Sequence, residues 1–337
     1  MTKTYDVCGL GNSLVDIFLE LNEAEFAPLN FERGTMRLVE KDDQNALLEK
    51  FAGSNHDLRL VSGGSVANSI IALSQLGGRG AFVGCVGDDR YGLHYANEFT
   101  ELSIDFANPP LVGETSGTCV SIITPDAERT MRTCLAVSSH LAARHVPTER
   151  VKASEWLFVE GYLFANPETG QMAVREALAA AKARDTKVAL TCSDAFVPHV
   201  FGDAFRAALA QSDLLFCNAA EAMAVTKKAD VQGAFAKLAR MVPHCVVTDG
   251  PHGAHIHYEG REYHVPAFAC EPKDLTGAGD MFAGAFLYGI SHGIAADRAA
   301  RGANFLAMKV ITQIGARLHT GAKAFWDEAT LVRSDSM

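Results

Sequence analysis

The chain has 337 residues, 48% of them hydrophobic and 21% charged, so it can bury the core of one large α/β domain or two smaller ones. Its net charge of −10, with no basic run to compensate, argues against a nucleic-acid binder. No segment approaches the roughly 20 apolar residues that span a bilayer, and the N-terminus lacks the apolar core of a signal peptide. We therefore expect neither a nucleic acid nor a membrane as partner.

Short β-rich runs alternate with helical patterns along most of the chain. Strands are predicted at residues 5–10, 58–62, 80–86, 156–160, 187–191, 213–217 and 245–248. Helices are predicted at residues 66–76, 91–102, 167–183, 204–211, 232–241 and 296–314. This alternation favours a mostly parallel sheet with helices on both faces.

Two stretches break the alternation. Residues 18–40 contain one short strand candidate, 36–40, and residues 117–125 and 129–135 are typical of a hairpin around 126–128. Because no helix separates these pieces, we expect them to form a small separate sheet.

Eight cysteines are scattered through the chain without any C-x-x-C pair. Several lie inside apolar runs, as Cys217 and Cys245 do, where buried thiols are common. The pattern favours free thiols in a reducing compartment, so we expect a cytoplasmic protein.

Polar residues follow the first strand, where open α/β sheets bind ligands. Asn12 and Asp16 offer an amide and a carboxylate, which together can hold two neighbouring hydroxyls. Asp16 could equally be a solvated loop residue or a helix cap. The same stretch resembles a dinucleotide fingerprint, but Leu14 replaces the third glycine, which argues against that site.

Residues 63–68 lie between a predicted strand and a helix. Gly63, Gly64 and Ser65 nearly satisfy the nucleophile elbow of serine hydrolases, although Ala67 replaces the second glycine. Alternatively, the two glycines let a sugar lie against the backbone, and Asn68 hydrogen-bonds its hydroxyls.

Asn218 and Glu221 follow a later strand and can share one helix face. An ordinary helix start is an equally good interpretation. If ATP phosphates bind nearby, one carboxylate suffices for Mg²⁺, which prefers oxygen ligands and retains waters. His255 and His257 alternate before a predicted hairpin turn at Glu259 and Gly260, and an exposed strand is favoured there over a metal site.

The most informative pattern covers residues 274–286. Gly277, Ala278 and Gly279 lead into the apolar run 281–290, which predicts a buried helix. A glycine-rich turn at a helix start directs unpaired N–H groups and the positive end of the helix dipole at one spot, which suits an anion. We expect the dipole and these donors to keep the Asp280 carboxylate ionised near neutral pH. An anion site beside a base is what phosphoryl transfer to a hydroxyl requires, whereas a simple cap needs one glycine and no acid.

Residues 274–286 match the second signature of the ribokinase-like (PfkB-type) carbohydrate kinase family, D-T-x-G-A-G-D-x-F-x-G-x-F, with Leu275 in place of Thr. Residues 63–89 resemble the first signature of that family. No Gly-Lys dipeptide is present, hence no Walker A loop, and neither are the H-R-D and D-F-G motifs of protein kinases. The resemblance extends over roughly residues 5–315. It implies a three-layer α/β/α sandwich with a central mostly parallel sheet, in a single domain of residues 1–337, with a small β-sheet lid from about 14–40 and 112–138.

The resemblance also implies roles for individual residues. Asp280 would be the catalytic base, and the amides of Gly277, Ala278 and Gly279 would stabilise the transferred phosphoryl group. Glu221 would act on Mg²⁺ indirectly, through water, and the nucleotide would be bound by Asn218, Thr248, Gly250, Gly253 and Asn304. The implied cofactors are ATP and Mg²⁺, with a monovalent cation left open.

Within the family, several segments look like the adenosine kinase branch: residues 11–16, 63–68, 116–119 and 161–164. By that similarity Asp16, Gly64 and Asn68 would hold a ribose, with Asn12 and Gly63 beside them. An apolar slot around a purine, whose members could equally be core, would be formed by Leu14, Leu38, Leu135, Tyr162 and Phe196.

We therefore predict a kinase that transfers phosphate from ATP to the 5′-hydroxyl of adenosine or a related nucleoside. A sugar kinase acting on ribose, fructose or a keto-deoxy sugar acid is the alternative. A non-catalytic nucleoside or nucleotide sensor on the same fold, and a serine hydrolase using Ser65, remain open. We expect small-molecule partners only, and a monomer or a homodimer.

Overall fold

The computed structural model describes residues 3–51, 58–106, 108–126 and 128–331. Within these residues the strands are β1 (Tyr5–Leu10), β2 (Leu14–Glu20), β3 (Met36–Leu38), β4 (Arg59–Gly63), β5 (Gly80–Val83), β6 (Asp105–Phe106), β7 (Gly117–Ile123), β8 (Arg129–Cys134), β9 (Ser154–Val159), β10 (Lys187–Thr191), β11 (Leu214–Asn218), β12 (His244–Thr248), β13 (Ala254–Tyr258) and β14 (Arg261–Val265).

The α-helices of the same residues are α1 (Glu23–Phe26), α2 (Lys41–Phe51), α3 (Ser65–Gln75), α4 (Arg90–Glu101), α5 (Thr148–Lys152), α6 (Gly170–Lys182), α7 (Phe196–Val200), α8 (Gly202–Leu209), α9 (Ala219–Thr226), α10 (Val231–Leu238), α11 (Ala278–Ser291), α12 (Ala296–Ile311) and α13 (Ala322–Leu331). All the strands and helices that the alternation predicts are present, with ends shifted by three residues at most.

A large sheet of nine strands forms the centre of the described structure, in the order β14-β13-β12-β11-β10-β9-β1-β5-β6. The seven strands from β12 to β6 run parallel. At the other edge β13 and β14 add an antiparallel hairpin, with Tyr258 paired to Arg261. The hairpin turn predicted at Glu259 and Gly260 is therefore confirmed.

Side chains alternate between the two faces of this sheet, because successive residues of a strand point to opposite sides. On one face Val7, Phe158 and Phe216 pack with helices α3, α4, α11, α12 and α13. On the other face Leu10, Leu157 and Leu215 pack with helices α5, α6, α8, α9 and α10. The result is the three-layer α/β/α arrangement that the sequence predicts.

A second sheet of five strands has the order β3-β8-β7-β2-β4. Its own apolar core packs against α1 and α2 and includes Ile17, Leu19, Val120, Phe26 and Leu47. The predicted small sheet is therefore present. Strand β2 and helix α2 were not predicted. In the case of β2, only three residues separate it from β1, so the crossover helix that usually joins two strands is missing there.

One predicted strand lies in a different sheet from the one that the alternation suggests. Strand β4 pairs antiparallel with β2, so it belongs to the small sheet and not to the large one. Gly64, with φ +111°, then turns the chain directly into α3. A Cβ there would lie 2.1 Å from the Asn12 carbonyl oxygen, so only glycine fits this turn. The small sheet is thereby joined to the helix layer at the edge where β1 ends.

No helix in the described residues is long and apolar enough to cross a membrane. All eight cysteines lie in the described part and are free thiols, and seven of them are buried. The expectation of free thiols is confirmed, while the cytoplasmic location stays a prediction.

Helices α3 and α11 approach closely at Gly284. A Cβ on Gly284 would lie 2.1 Å from the Ser69 carbonyl oxygen, so the contact requires glycine. This approach brings the first turns of α3 and α11 together at the carboxyl ends of the strands.

We predict that Gly284→Ala lowers the free energy of unfolding by about 1–3 kcal/mol, because the added methyl group overpacks the α3–α11 contact. Chemical denaturation measures the change. Gly279→Ala is the matched control on the same helix, since a Cβ at Gly279 meets no atom of the described structure within 4 Å. Equal stability of the two variants would contradict the prediction.

Candidate active site

A cavity of about 210 Å³ opens where the central parallel strands end. Thr191 at the end of β10, Asn218 at the end of β11 and Thr248 at the end of β12 line it. Ser65 of α3 and Asp280 of α11 close the other side. Ligands of open α/β sheets bind at this edge, so the cavity is the candidate active site.

The glycine-rich turn forms the start of α11. Gly277 is its N-cap, with φ +77°, and a Cβ there would lie 2.3 Å from the Ala316 carbonyl oxygen. Ala278 begins the helix, and Met281 N–H donates to the Gly277 carbonyl. First-turn amides, including that of Gly279, have no acceptor within their own helix. Because Gly279 is exposed and has open space beyond its Cα, an anion can reach these amides. We call residues 275–279 the anion turn.

Asp280 is held by two donors from α3. Ser65 Oγ donates to its Oδ1 (2.8 Å) and Asn68 Nδ2 donates to its Oδ2 (3.0 Å). Burial raises the pKa of Asp280 to about 6, against the effect of these two donors. Desolvation of the carboxylate is thus the largest influence on its pKa, an effect that the sequence analysis did not foresee. The carboxylate is still mainly ionised at neutral pH, and its raised pKa makes it a better proton acceptor.

Asn12 is held by a carboxylate that the sequence analysis missed. Its Nδ2 donates to Glu160 Oε1 (2.7 Å), and its Oδ1 accepts from Ser138 Oγ (3.1 Å). Glu160 is buried and also accepts from Val66 N–H (3.2 Å), and burial raises its pKa to about 7. The sequence signal that could have identified Glu160 is an acidic residue directly after the apolar strand β9, because that position lies at the edge of the sheet where the site is.

Asp16 lies beside the glycines that lead into α3. A Cβ on Gly63 would lie 2.7 Å from Asp16 Oδ2, so glycine here makes room for the carboxylate. Burial raises the pKa of Asp16 to about 6, although Arg129 and Arg317 oppose the rise. The structure thus brings Asp16 next to Gly63, and it places Gly64 against the Asn12 carbonyl. Asn68 instead donates to Asp280.

Asn218 and Glu221 form a reciprocal cap at the start of α9. Asn218 Oδ1 accepts from Glu221 N–H (2.9 Å), and the Glu221 carboxylate accepts from Asn218 N–H (2.9 Å) and Nδ2 (2.8 Å). The ordinary helix-start interpretation is therefore correct, yet both residues also line the cavity with Asp280. Burial raises the pKa of Glu221 to about 7.

The described residues contain no group of three or more His, Cys, Asp or Glu side chains that could hold a metal ion by itself. A divalent ion here would rely on Glu221, water and the oxygens of a bound phosphate. That donor set suits Mg²⁺, which keeps several waters.

A second cavity, of about 700 Å³, continues from the first. Both cavities share Thr248, Gly279 and Phe282. The second is lined by apolar side chains, by Ala278 of the anion turn, and by four of the predicted nucleotide residues: Thr248, Gly250, Gly253 and Asn304. Asn304 Nδ2 donates to the Val265 and Pro266 carbonyls (3.0 and 3.1 Å), which fixes one wall. The volume suits a ligand of the size of a nucleoside.

A family model described as pfkB family carbohydrate kinase matches residues 35–321. The chain belongs to this family. The resemblance inferred from the motifs is therefore confirmed, and so is the ribokinase-like fold with its central and small sheets.

Relatives of this pfkB kinase carry different substrate names. The solved adenosine kinase from Sinorhizobium meliloti is 30% identical, with a TM-score of 0.86, and the alignment covers 96% of this chain and 99% of that one. The ribokinase of Haemophilus influenzae is 25% identical over 80% of this chain and 86% of its own length. A ribokinase II from E. coli, solved with ATP and Mg²⁺, shares the fold at 20% identity and a TM-score of 0.77, over 97% of this chain and 100% of that one.

The residues predicted for the purine slot fall into two places in the kinase. Leu38 and Leu135 line a cavity of about 450 Å³ at the small sheet. Leu14 lies next to it, because a Cβ on Gly117 would lie 2.7 Å from both Leu14 Cδ2 and the Leu135 carbonyl oxygen. Tyr162 and Phe196 form a separate pair, with ring centroids 6.1 Å apart.

We predict that Ser65→Ala shifts the acidic limb of the kcat/KM–pH profile upward by about one pH unit. Asp280 must be ionised to accept a proton, so activity rises as the pH rises through its pKa of about 6. Removing the Ser65 donor raises that pKa further, since the hydrogen bond favours the charged form.

Ser69→Ala is the matched control, because Ser69 lines the same cavity and donates to the Ser65 carbonyl rather than to Asp280. The profile is measured with saturating ATP at several acceptor concentrations. If the acidic limb of the Ser65→Ala profile lies at the same pH as in the unmodified protein, the Ser65 hydrogen bond does not lower the pKa of Asp280.

Proposed function

We propose that this pfkB kinase transfers the γ-phosphoryl group of ATP to the 5′-hydroxyl of adenosine or a related nucleoside. The observation that carries the proposal is Asp280, which is fixed by Ser65 and Asn68 directly beside the anion turn. A carboxylate with a pKa of about 6 next to the amides of a helix start is suited to take the hydroxyl proton as phosphate arrives.

In this proposal each part of the site has one task. Asp280 accepts the proton from the attacking hydroxyl, and the amides of residues 277–279 stabilise the charge on the transferred group. The cavity of Thr248, Gly253 and Asn304 holds the nucleotide. Glu221 would hold Mg²⁺ through water, and the ion would supply charge neutralisation at the phosphates. A monovalent cation and the oligomeric state stay predictions.

Asp16 and Asn12 are the proposed hydroxyl-binding groups. Both lie at the end of β1 and the start of β2, beside Gly63 and Gly64. The side-chain amide of Asn12 already donates to Glu160, and that of Asn68 already donates to Asp280. A bound hydroxyl would therefore have to compete with these hydrogen bonds. Asp16 therefore has the larger part in the proposal.

A nucleoside is favoured over a free sugar by the cavity at the small sheet. Leu38 lines it and is 63% exposed, so its apolar side chain is available to contact a base. The volume of about 450 Å³ exceeds what a pentose needs and suits an added base. The similarity to the Sinorhizobium meliloti adenosine kinase supports the same choice.

The small sheet is proposed as a lid over the acceptor. Predicted lid segments 14–40 and 112–138 supply strands β2, β3, β7 and β8, and β4 adds a strand from outside them. Closure would exclude water from the anion turn and limit hydrolysis of ATP.

A sugar kinase is the second candidate, since the Haemophilus influenzae ribokinase aligns with most of this chain. A non-catalytic sensor is disfavoured, because a sensor has no need of a base held by two donors. A serine hydrolase is disfavoured as well, because Ser65 donates to a carboxylate and no histidine contacts it among the described residues.

We predict that Asp280→Asn lowers kcat by several orders of magnitude while ATP affinity changes less than about two-fold, since general base and positioning are both lost. Steady-state kinetics and calorimetric ATP titration measure the two effects. Asp230→Asn, at the cap of α10, is the control. Near-normal turnover in the Asp280 variant would remove Asp280 as the base.

The substrate is tested by ADP release with adenosine, inosine, ribose and fructose as acceptors. We predict a kcat/KM for adenosine at least about ten-fold above that for either free sugar, because a base would cover Leu38 and Leu135 in the cavity at the small sheet. Leu38→Ala should lower kcat/KM for adenosine and leave that for ribose unchanged. Preference for ribose or fructose would favour the sugar kinase, and no acceptor-dependent ADP release would favour the sensor.

A further inference from the structure

A cavity of about 530 Å³ lies against the small sheet, on the side where α2 packs. Strands β3 and β8 form its floor, residues 29–32 form one wall, and helix α2 forms the other. It shares no lining residue with the two cavities of the candidate active site. We call it the outer cavity, and it is separate from the place where phosphate would be transferred.

Arg132 of β8 brings a guanidinium to the outer cavity from an almost fully buried position. The residue is 4% exposed, its Nη1 donates to the Thr35 and Met131 carbonyls (3.1 and 2.7 Å), and the centroid of the Phe31 ring lies 4.0 Å from the guanidinium carbon. Within the described residues its Nε and Nη2 have no acceptor, and no carboxylate pairs with it. Neither nitrogen is fully enclosed by these residues, so a ligand in the cavity can reach them.

The neighbouring strand adds a second cation. Arg37 of β3 is in register with Arg132, so the two side chains lie on one face of the small sheet. Burial and the repulsion from Arg37 hold the pKa of Arg132 below the ordinary arginine value. A buried charge without a counter-ion is costly, and like charges side by side on neighbouring strands add to that cost. An anion in the outer cavity would offset both.

Cations outnumber carboxylates around the outer cavity. Its charged lining consists of Arg37, Lys50, Arg132, Glu32 and Asp43. Glu32 is already engaged, because its Oε2 accepts from Arg37 Nη2 (2.9 Å), and Asp43 is exposed to solvent on the first turn of α2. The chain as a whole carries a net charge of −10, so this local excess of positive charge is against the general trend. Such an excess favours an anionic ligand.

The chemistry of the lining narrows the ligand further. A planar guanidinium binds a carboxylate or a phosphate through two parallel hydrogen bonds. Most of the remaining lining is apolar, and the volume is in the range of small-molecule sites. The apolar side chains are Leu29, Phe31, Val39, Ala46 and Leu47. The lining therefore suits an oxyanion group at the arginines with an apolar body beside it.

We propose that the outer cavity binds a small organic anion, a carboxylate or a phosphate ester, and that this anion is an effector of the kinase. Its oxyanion group pairs with Arg132 and Arg37, and its body packs between residues 29–31 and α2. The binding site itself does not depend on the proposed function. Only its effect on the acceptor rests on that function.

The effect on the acceptor follows from the thinness of the small sheet. Arg37 and Arg132 line the outer cavity, while the residues that follow them, Leu38 and Thr133, line the cavity proposed for the base. Val39, directly after β3, lines both. An anion that relieves the repulsion between the arginines stabilises β3 against β8, and with it the wall that carries Leu38. Bound effector therefore strengthens acceptor binding.

The binding test uses benzoate and phenyl phosphate as probes, with neutral benzamide for comparison. Calorimetric titrations are made with Mg²⁺ and a saturating non-hydrolysable ATP analogue, so that the nucleotide site is occupied. We expect at least one of the two anions to bind with 1:1 stoichiometry, and benzamide to bind at least about ten-fold more weakly, because it lacks the charge-assisted hydrogen bonds. Tighter binding of benzoate assigns a carboxylate, and tighter binding of phenyl phosphate assigns a phosphate ester.

Variants locate the bound anion. Arg37→Met and Arg132→Met should each weaken binding of the better probe at least about ten-fold. Arg33→Met is the matched control, because Arg33 also stacks on an aromatic ring, that of Phe26 (5.0 Å), but two carboxylates already pair with it (2.6 Å each). Binding to the control should stay within about two-fold of the unmodified protein. If Arg132→Met does not fold, Arg37→Met carries the comparison, since that side chain is exposed.

Two results would overturn the site. One is no binding of either anion up to about 10 mM. The other is equal affinity in Arg37→Met and the unmodified protein, which would place the anion elsewhere.

The effector role is tested by steady-state kinetics with the acceptor that gives the highest turnover. We expect the better probe to lower the acceptor KM at least about two-fold in the unmodified protein and to leave it unchanged in Arg37→Met. A bound probe without any effect on KM would refute the effector role. Absence of phosphorylation with every acceptor would instead refute the proposed function, while the binding test stands, so the two failures are distinguishable.

Discussion

The hydrogen bonds from the first turn of α3 to Asp280 are the contact on which the rest of the site depends. Ser65 and Asn68 fix both carboxylate oxygens, and they can do so because Gly284 lets α3 and α11 touch through the Ser69 carbonyl. Burial between the two helices raises the pKa of Asp280 to about 6, while the two donors keep that rise moderate. Packing and acid–base chemistry are thus set by the same helix pair.

Around this centre the site contains several carboxyl groups whose pKa values burial raises to about 6 or 7: Asp16, Glu160, Glu221 and Asp280. Like charges and low hydration make such a cluster costly unless cations or N–H groups compensate. Arg129 and Arg317 face Asp16, amides face Glu160 and Glu221, and the helix start faces Asp280. The arrangement suits a polyanionic nucleotide only when Mg²⁺ accompanies it, which agrees with a family of ATP-dependent kinases.

In the proposed function the two sheets divide the work of recognition. The large sheet and its helices form the anion turn and the cavity that we propose for the nucleotide. The small sheet forms the cavity of Leu38 and Leu135, where acceptors of different size would be discriminated. Because relatives named adenosine kinase and ribokinase both align with this chain, acceptor choice has to come from such local differences. The hydrogen bond from Arg129 of the small sheet to Thr276 of the anion turn is one of the contacts that join the two parts of the site.

Much of this protein followed from local patterns in its sequence. The β-α alternation determined the parallel sheet and its two helix layers, because periodicity and chain connectivity leave few alternatives. The pattern of residues 274–286 determined the glycine-rich helix start and the carboxylate beside it, since backbone chemistry at a helix start is local. Only the tertiary structure decided the sheet to which β4 belongs, the burial that raises the pKa of Asp280, and the contacts of Glu160 with Asn12 and of Arg129 with Asp274. These depend on contacts between residues more than 40 positions apart, which the pattern around each residue does not specify.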